Sequence, residues 1–377
     1  MRARGLTLML AFALQFLPAP GIELAASRRR IVRRAPPAGA FGVHLLTFAG
    51  SEPAHVGRSL ELAGEAGILW LRIVIPPAPI HIAPGDFRFS AIDPLVAKAK
   101  QEGLQILGNL AYTTNWNTTA PPEITQIAQR EHFPPRDFEE WGRYVFATVN
   151  RYRFEIHEWE IWNEPDLGFP STPERPCTGG FWCGSSADFA RLLAIAYREV
   201  KRADPAARVL LGGLSLAGSP GTHNENFLSE ILSDPVNPAG ENFDIMNYHS
   251  YGSREEAIRR MNYVRAAMAA AGIDKPVWIT EAGYASDPSQ QRVPPYGGGE
   301  SGQAAYLRDA LPFFLSLGVE KVFWFSMVDF PPGMGGPFQT YGLTDHSLEP
   351  KASYYAYRDL LKNYSAATSS ALAMGTR

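Results

Sequence analysis

The sequence predicts an α/β fold consisting of one closed (β/α)8 barrel, the TIM-barrel architecture, and three observations carry that expectation. Short apolar runs rich in branched residues alternate with amphipathic runs at a period of about 40 residues, as in a buried parallel sheet with helical crossovers. There are eight such pairs in order, and no Gly-, Ser- or Pro-rich linker divides them. No Gly-rich phosphate loop follows the first run, which disfavours the doubly wound open sheet. The 377 residues suit either two ordinary domains or one barrel, and 45% hydrophobic with 19% charged residues provides for a large core.

Taken in chain order, Met1-Arg2-Ala3-Arg4, the apolar run from Leu6 to Leu17 and the small residues up to Ser27 have the layout of an export signal, 1–27. The apolar run is short for a membrane span, so an uncleaved anchor is the weaker alternative. A basic tail containing RRRIVRR is expected over 28–39, and the barrel over 40–362. Its strands are AFGVHLL (40–46), ILWLRIVI (68–75), LQILGNLA (104–111), HEWEIW (157–162), RVLLGGLS (208–215), FDIMNYH (243–249), PVWITEA (276–282) and KVFWFSM (321–327). Three helices are clearest: SADFARLLAIAYREVKRAD and SGQAAYLRDALPFFLSLG, each opening on Ser as an N-cap, and SREEAIRRMNYVRAAMAAAG, which like the latter ends on Gly. Residues 363–377 read as a solvated tail.

The formal net charge of -3 offers no source for phosphate neutralisation, so neither nucleic acid nor an anionic membrane is the expected partner. Cys177 and Cys183, the only two cysteines, flank a Gly-containing loop and read as a disulfide in a secreted or periplasmic protein. None of the eight His lies in a metal-site spacing, so no metal and no cofactor is expected.

The chemistry lies where strands run out. EIWNEPD (160–166) puts Asn163 and Glu164 at the end of the fourth strand, and WITEAGY puts Glu281 at the end of the seventh. In a barrel both face the mouth at the C-terminal side, and two facing carboxyl groups suit cleavage of a glycosidic bond. Long loops rich in Trp, Tyr, Gly and Pro, such as YTTNWNTTAPP and DFPPGMGGPFQTYG, line the same face.

HEWEIWNEPD, KPVWITEAGY and GLTDHSLEPKASYYAY resemble the clan A retaining glycoside hydrolases and are most similar to the family thirty-nine branch, over about Phe41 to Leu361. That resemblance implies a retaining double displacement on a carbohydrate substrate, with Glu281 as nucleophile and Glu164 as acid and then base. Retention calls for carboxyl groups about 5 to 5.5 Å apart. Glu281 is expected to be held ionised by hydrogen bonds and positive charge, and Glu164 to be raised by the neighbouring negative charge. The resemblance further places Arg72 near the nucleophile, Tyr251 in a hydrogen bond to it with His249 alongside, and Asn163 against the sugar hydroxyl next to the reacting carbon. Trp324 matches the aromatic platform under the sugar, although packing among Phe323 and Phe325 is a competing role. His44, Tyr112 and Trp116 either line subsites or pack. Glu158, Glu160, Asp166 and Asp329 read as structural carboxylates or as supports behind the site residues. Endo action on a polysaccharide is the weakly favoured mode; a catalytically silent polysaccharide-binding barrel and a transglycosylase are the alternatives.

Overall fold

The computed structural model describes residues 39–375 apart from 48–51, 173, 178–179, 218–222 and 291–292, with side chains up to residue 366. The expected signal segment 1–27 and the basic tail up to residue 38 lie outside the described residues. In chain order the elements are β1 (Phe41–Leu45), α1 (Pro53–Glu65), β2 (Trp70–Val74), β3 (His81–Ala83), β4 (Asp86–Phe87), α2 (Asp93–Gln101), β5 (Gln105–Leu110), α3 (Ile127–Arg130), α4 (Phe138–Tyr152), β6 (Ile156–Ile161), α5 (Ser186–Ala203), β7 (Arg208–Leu210), α6 (Phe227–Leu232), β8 (Met246–His249), α7 (Arg254–Ala270), β9 (Val277–Ala282), α8 (Gly299–Ser316), β10 (Lys321–Phe325) and α9 (Ala352–Gly375).

Eight of these strands pair in parallel in the order β7-β6-β5-β2-β1-β10-β9-β8. Parallel bridges Leu210–Ile245 and Leu214–Tyr248 join the two ends, so the sheet closes into a (β/α)8 barrel. All eight runs read as strands from the sequence are these eight strands. The antiparallel hairpin β3–β4 is an addition inserted in the loop after β2.

The barrel interior is layered because alternate residues of every strand point inward. At the bottom, Trp70, Leu107, Leu210, Ile245, Trp278 and Phe323 form one buried apolar cluster. Gly42 makes this possible, since a Cβ there would lie 2.6 Å from the Phe323 ring. Two residues further along the strands stand Arg72, Asn109, Glu160, Asn247 and Thr280, all fully buried. The next step up is the mouth.

Helix caps follow local chemistry. Ser185 and Ser253 each form a capping box, with Asp188 and Glu256 respectively. α8 starts earlier than its Ser301 suggests, with Gly298 as N-cap. The last helix continues to Gly375, so the stretch after residue 362 is helical where a tail was expected; its Ala content favours that state. Two tyrosines fasten α9 to the barrel: Tyr354 donates to Leu62 O at 2.9 Å and Tyr357 to Gly42 O at 2.8 Å. Cys177 and Cys183 are joined as a disulfide. Among the described residues no helix is long and apolar enough to cross a membrane.

Candidate active site

At the end of β6 the chain turns through left-handed backbone at two non-glycine residues, Trp162 (φ 74°) and Glu164 (φ 45°). Such conformations are costly for side-chain-bearing residues and persist only where surrounding bonds enforce them. Here Asn109 Nδ2 donates to Trp162 O at 2.5 Å, and Glu164 N donates to Gly213 O at 3.2 Å. The turn swings Asn163 and Glu164 into the mouth.

Across from it, the pairing register of β9 shifts against both of its neighbours. An irregularity of this kind re-aims side chains. Thr280 therefore reaches down to Glu160 Oε1 at 2.8 Å while Glu281, the next residue, takes hydrogen bonds in the mouth.

Arg72 ties the two levels together. Its Nε donates to Glu160 Oε2 at 2.5 Å, Nη1 to Glu281 Oε1 at 2.6 Å and Nη2 to Asn163 Oδ1 at 2.9 Å. Glu160 accepts further bonds from Asn109 at 3.0 Å and Asn247 at 2.6 Å. A fully buried guanidinium facing two carboxylates is tolerable only when its donors are satisfied in this way. Glu281 also accepts from Tyr251 Oη at 2.7 Å and has His44 Nδ1 at 3.4 Å. His249 Nδ1 is hydrogen-bonded to Glu164 Oε1 at 2.7 Å and lies 3.5 Å from Glu281 Oε2. A carboxylate oxygen from each of Glu164 and Glu281 and a ring nitrogen of His249 lie within 4.8 Å of one another. These three are also the one group of donors among the described residues spaced for a metal ion. The Arg72 cation on Glu281 opposes a second positive charge there.

The two carboxyl groups are pushed apart in proton affinity. For Glu164 burial is the largest influence and raises the pKa; the charges of Glu281 and Asp166 add to it, against the lowering effect of His249. The expected raising of Glu164 by neighbouring negative charge is present, and desolvation adds the larger share. Burial would raise Glu281 too, but the charges of His249 and Arg72 and the His44 hydrogen bond outweigh it and hold that carboxyl well below its ordinary range. Burial and the adjacent Arg72 bring His44 down to about 4, leaving it neutral. Burial also works against the His249 cation, yet Glu281 and the hydrogen bond to Glu164 raise its pKa above 6.5. A carboxyl held below its ordinary range beside one raised above it is a pair suited to nucleophilic attack and proton donation.

The structure thus brings Arg72, His44, Asn163, Glu164, His249, Tyr251 and Glu281 together. Tyr112 belongs with them: its ring packs edge-on against Trp162 at 5.4 Å and its hydroxyl interacts with Asn163. Trp116 sits farther round the rim, 36% exposed, with Nε1 donating to His81 O at 2.9 Å. Trp324 does not reach the mouth. It pairs with Val43, not His44, and so points outward, where it is fully buried and donates to Tyr341 O at 3.1 Å. The inward residue is Phe325, paired with His44 and 5.4 Å from its ring. With Phe338 and Tyr341 it forms an aromatic wall around Tyr251, a feature missed in the sequence. Strand alternation counted from Arg72 and His44 was the signal that could have found it. Glu158 pairs with Arg208 at 2.7 Å, Asp329 with Lys351 at 2.8 Å, and Asp166 accepts from Ser215 N and Leu216 N.

Residues 194–355 match the family model described as glycosyl hydrolase catalytic core. Among solved structures, a family 39 glycoside hydrolase from Bacteroides cellulosilyticus WH2 superposes with a TM-score of 0.62 at 18% identity, over 87% of this chain and 64% of that one. A monomeric beta-xylosidase from Caulobacter crescentus CB15 gives 0.60 at 17% identity, over 87% and 69%. A family 5, subfamily 18 protein from Streptomyces cattleya, in complex with Manb1-4GlcNAc, gives 0.64 at 17%, over 86% and 80%. The chain therefore spans just under two thirds of the length of the family 39 structure. In its barrel and in the glycosyl hydrolase catalytic core matched over residues 194–355, the chain resembles the clan A glycoside hydrolases, with a family 39 member among its structural neighbours.

Proposed function

We propose that this protein is an exported, retaining glycoside hydrolase that cleaves bonds within a polysaccharide. The observation that carries the reading is the approach of Glu164 and Glu281, whose carboxylate oxygens lie within 4.8 Å. Retaining enzymes hold their carboxyl groups about 5 to 5.5 Å apart, whereas inverting enzymes need about 6.5 to 9.5 Å to admit a water. The disulfide supports passage through an oxidising compartment.

In the first half-reaction Glu281 attacks the anomeric carbon and the glycosidic C–O bond breaks. Glu164 gives its proton to the departing oxygen. Charge on Glu281 is consumed in the ester, which lowers the electrostatic cost of ionising Glu164. That carboxylate then takes a proton from water as the water displaces Glu281, and the starting protonation states return. Arg72 and Tyr251 hold Glu281 in line, and Asn163, oriented by Arg72, offers its amide to the sugar.

The test is reducing-end release from polysaccharides and aryl glycosides, with proton NMR of the first-formed anomer. Glu281→Gln should abolish turnover with the fold kept. Glu164→Gln should cost roughly 10² to 10⁴-fold in kcat/KM on substrates with poor leaving groups, and far less on activated aryl glycosides. Inversion at the anomeric carbon would remove the nucleophile role of Glu281, and equal losses on both substrate types would remove the acid role of Glu164.

A further inference from the structure

A cavity of about 560 Å³ opens on the Glu164 side of the barrel, walled by Asp166, Leu216, His223, Glu256, Arg260 and Tyr263 among others. A second, of about 260 Å³, adjoins it across His223, Asn224 and Phe227 and is lined by Pro165, Gly168 and Trp182. Pro165 and Asp166, the two residues that follow Glu164, thus each form part of one cavity wall. In a retaining displacement the nucleophile and the leaving group occupy opposite faces of the anomeric carbon. With Glu281 as nucleophile and Glu164 as acid, the departing half of the glycan lies on the Glu164 side of the reacting carbon.

Arg260 sets the chemistry of the larger one. Its Nη1 donates to Tyr251 O at 2.7 Å, while its Nε is buried without a hydrogen-bond partner. Its neighbours on α7 have carboxylates, Arg254 with Asp309 and Arg259 with Glu256 at 4.0 Å. Arg260 has no ion pair among the described residues. Three acidic residues share the wall: Asp166 accepts from Ser215 N and Leu216 N, Glu256 Oε2 accepts from Ser253 N at 2.7 Å, and Glu225 is the third. Burial lowers the Arg260 pKa, against the raising effect of the Glu256 charge. A half-buried guanidinium on a cavity wall, with Nη2 in no hydrogen bond among the described residues, suits a carboxylate.

We propose that this groove receives the leaving half of a carboxylate-bearing glycan, with the uronate carboxylate of one sugar held by Arg260. The placement rests on Glu164 being the acid; the charge preference rests on Arg260 alone. A polysaccharide containing uronic acid is then the substrate class.

The experiment uses the full-length Glu281→Gln protein and isothermal titration. The probes are oligosaccharides of alginate, polygalacturonate, hyaluronan and glucuronoxylan, each also after carboxyl reduction to the neutral alcohol. Binding of at least one acidic oligomer, weakened about tenfold or more by carboxyl reduction and equally by Arg260→Gln, is the expected result. Arg260→Lys, which keeps the charge without the fork, should fall between. If Arg260→Gln fails to fold, the reduced oligomers still decide the matter. Equal affinity for acidic and reduced forms, or no affinity for any acidic oligomer, overturns the proposal. Because no turnover is read, such a failure leaves the retaining mechanism standing. Uronate binding through Arg260 in an enzyme that inverts would overturn the mechanism instead.

Discussion

At His249 a single ring nitrogen serves two carboxyl groups, at 2.7 Å from Glu164 and 3.5 Å from Glu281. Its charge lowers the pKa of both, and for Glu281 it is the largest of the lowering influences. kcat/KM should rise as Glu281 ionises and fall as Glu164 loses its proton, giving a bell whose falling limb lies above 4.5. Replacing His249 by Asn removes the shared cation, so both limbs should move to higher pH. Limbs that stay in place, or move in opposite directions, would show that His249 does not set these two protonation states. Stability carries the same sign. The folded pKa of His249 is raised, so its contribution is fully present below 6.5 and is lost as pH rises through the folded value. Denaturant titrations should find His249→Asn more damaging at about pH 5 than at about pH 9.

At the scale of elements, β7 is cut to Arg208–Leu210 because Gly212 (φ 151°) and Gly213 (φ 55°) leave the strand conformation. A Cβ on Gly213 would lie 2.6 Å from His249 Nε2 and 2.7 Å from Glu160 Oε1. Gly213→Ala should therefore destabilise by more than about 1 kcal/mol and also displace His249, lowering kcat more than the stability loss explains. Unchanged kcat with lowered stability would separate the turn from the site. The same elements show what was legible. Apolar runs ending in polar residues placed all eight strands and brought Asn163, Glu164 and Glu281 to one mouth, because burial dictates strand composition and strand ends dictate where polar groups emerge. Parity was harder: Trp324 and Phe325 are adjacent aromatics, and only the pairing with Val43 and His44 decides which one faces inward. Glu160, expected as a structural or supporting carboxylate, takes its four donors from four different strands, a convergence no local pattern records. The β3–β4 hairpin had a signal in its Pro84-Gly85 turn, where Gly85 adopts φ 74°.

Across the whole molecule, the loops at the mouth are braced against one another, so the placement of Glu164 depends on contacts far from the carboxyl pair. Glu164 stands two residues after Trp162, whose indole donates to Phe181 O at 2.7 Å and packs edge-on against Trp182 at 4.9 Å. Phe181 and Trp182 belong to the loop closed by Cys177–Cys183, and Cys183 N donates to His132 O at 3.0 Å in the loop after β5. The two cysteines are buried with Ala120 and Phe133 in a small cluster separate from the main core. Cross-linking so short a loop is worth about 2 kcal/mol in the chain-entropy view. Replacing both cysteines by Ser, or reducing the bond with dithiothreitol, should lower the midpoint of thermal unfolding by an amount matching that loss. The barrel has no part in the cross-link, so far-UV circular dichroism should stay unchanged. Turnover should respond through the chain from Phe181 to Trp162 to Glu164, falling more on substrates with poor leaving groups, which need the acid placed accurately, than on activated aryl glycosides. An equal fall on both substrates would assign the loop to binding alone, and no fall would show that the Glu164 turn is held by Asn109 and Gly213 without help from the disulfide.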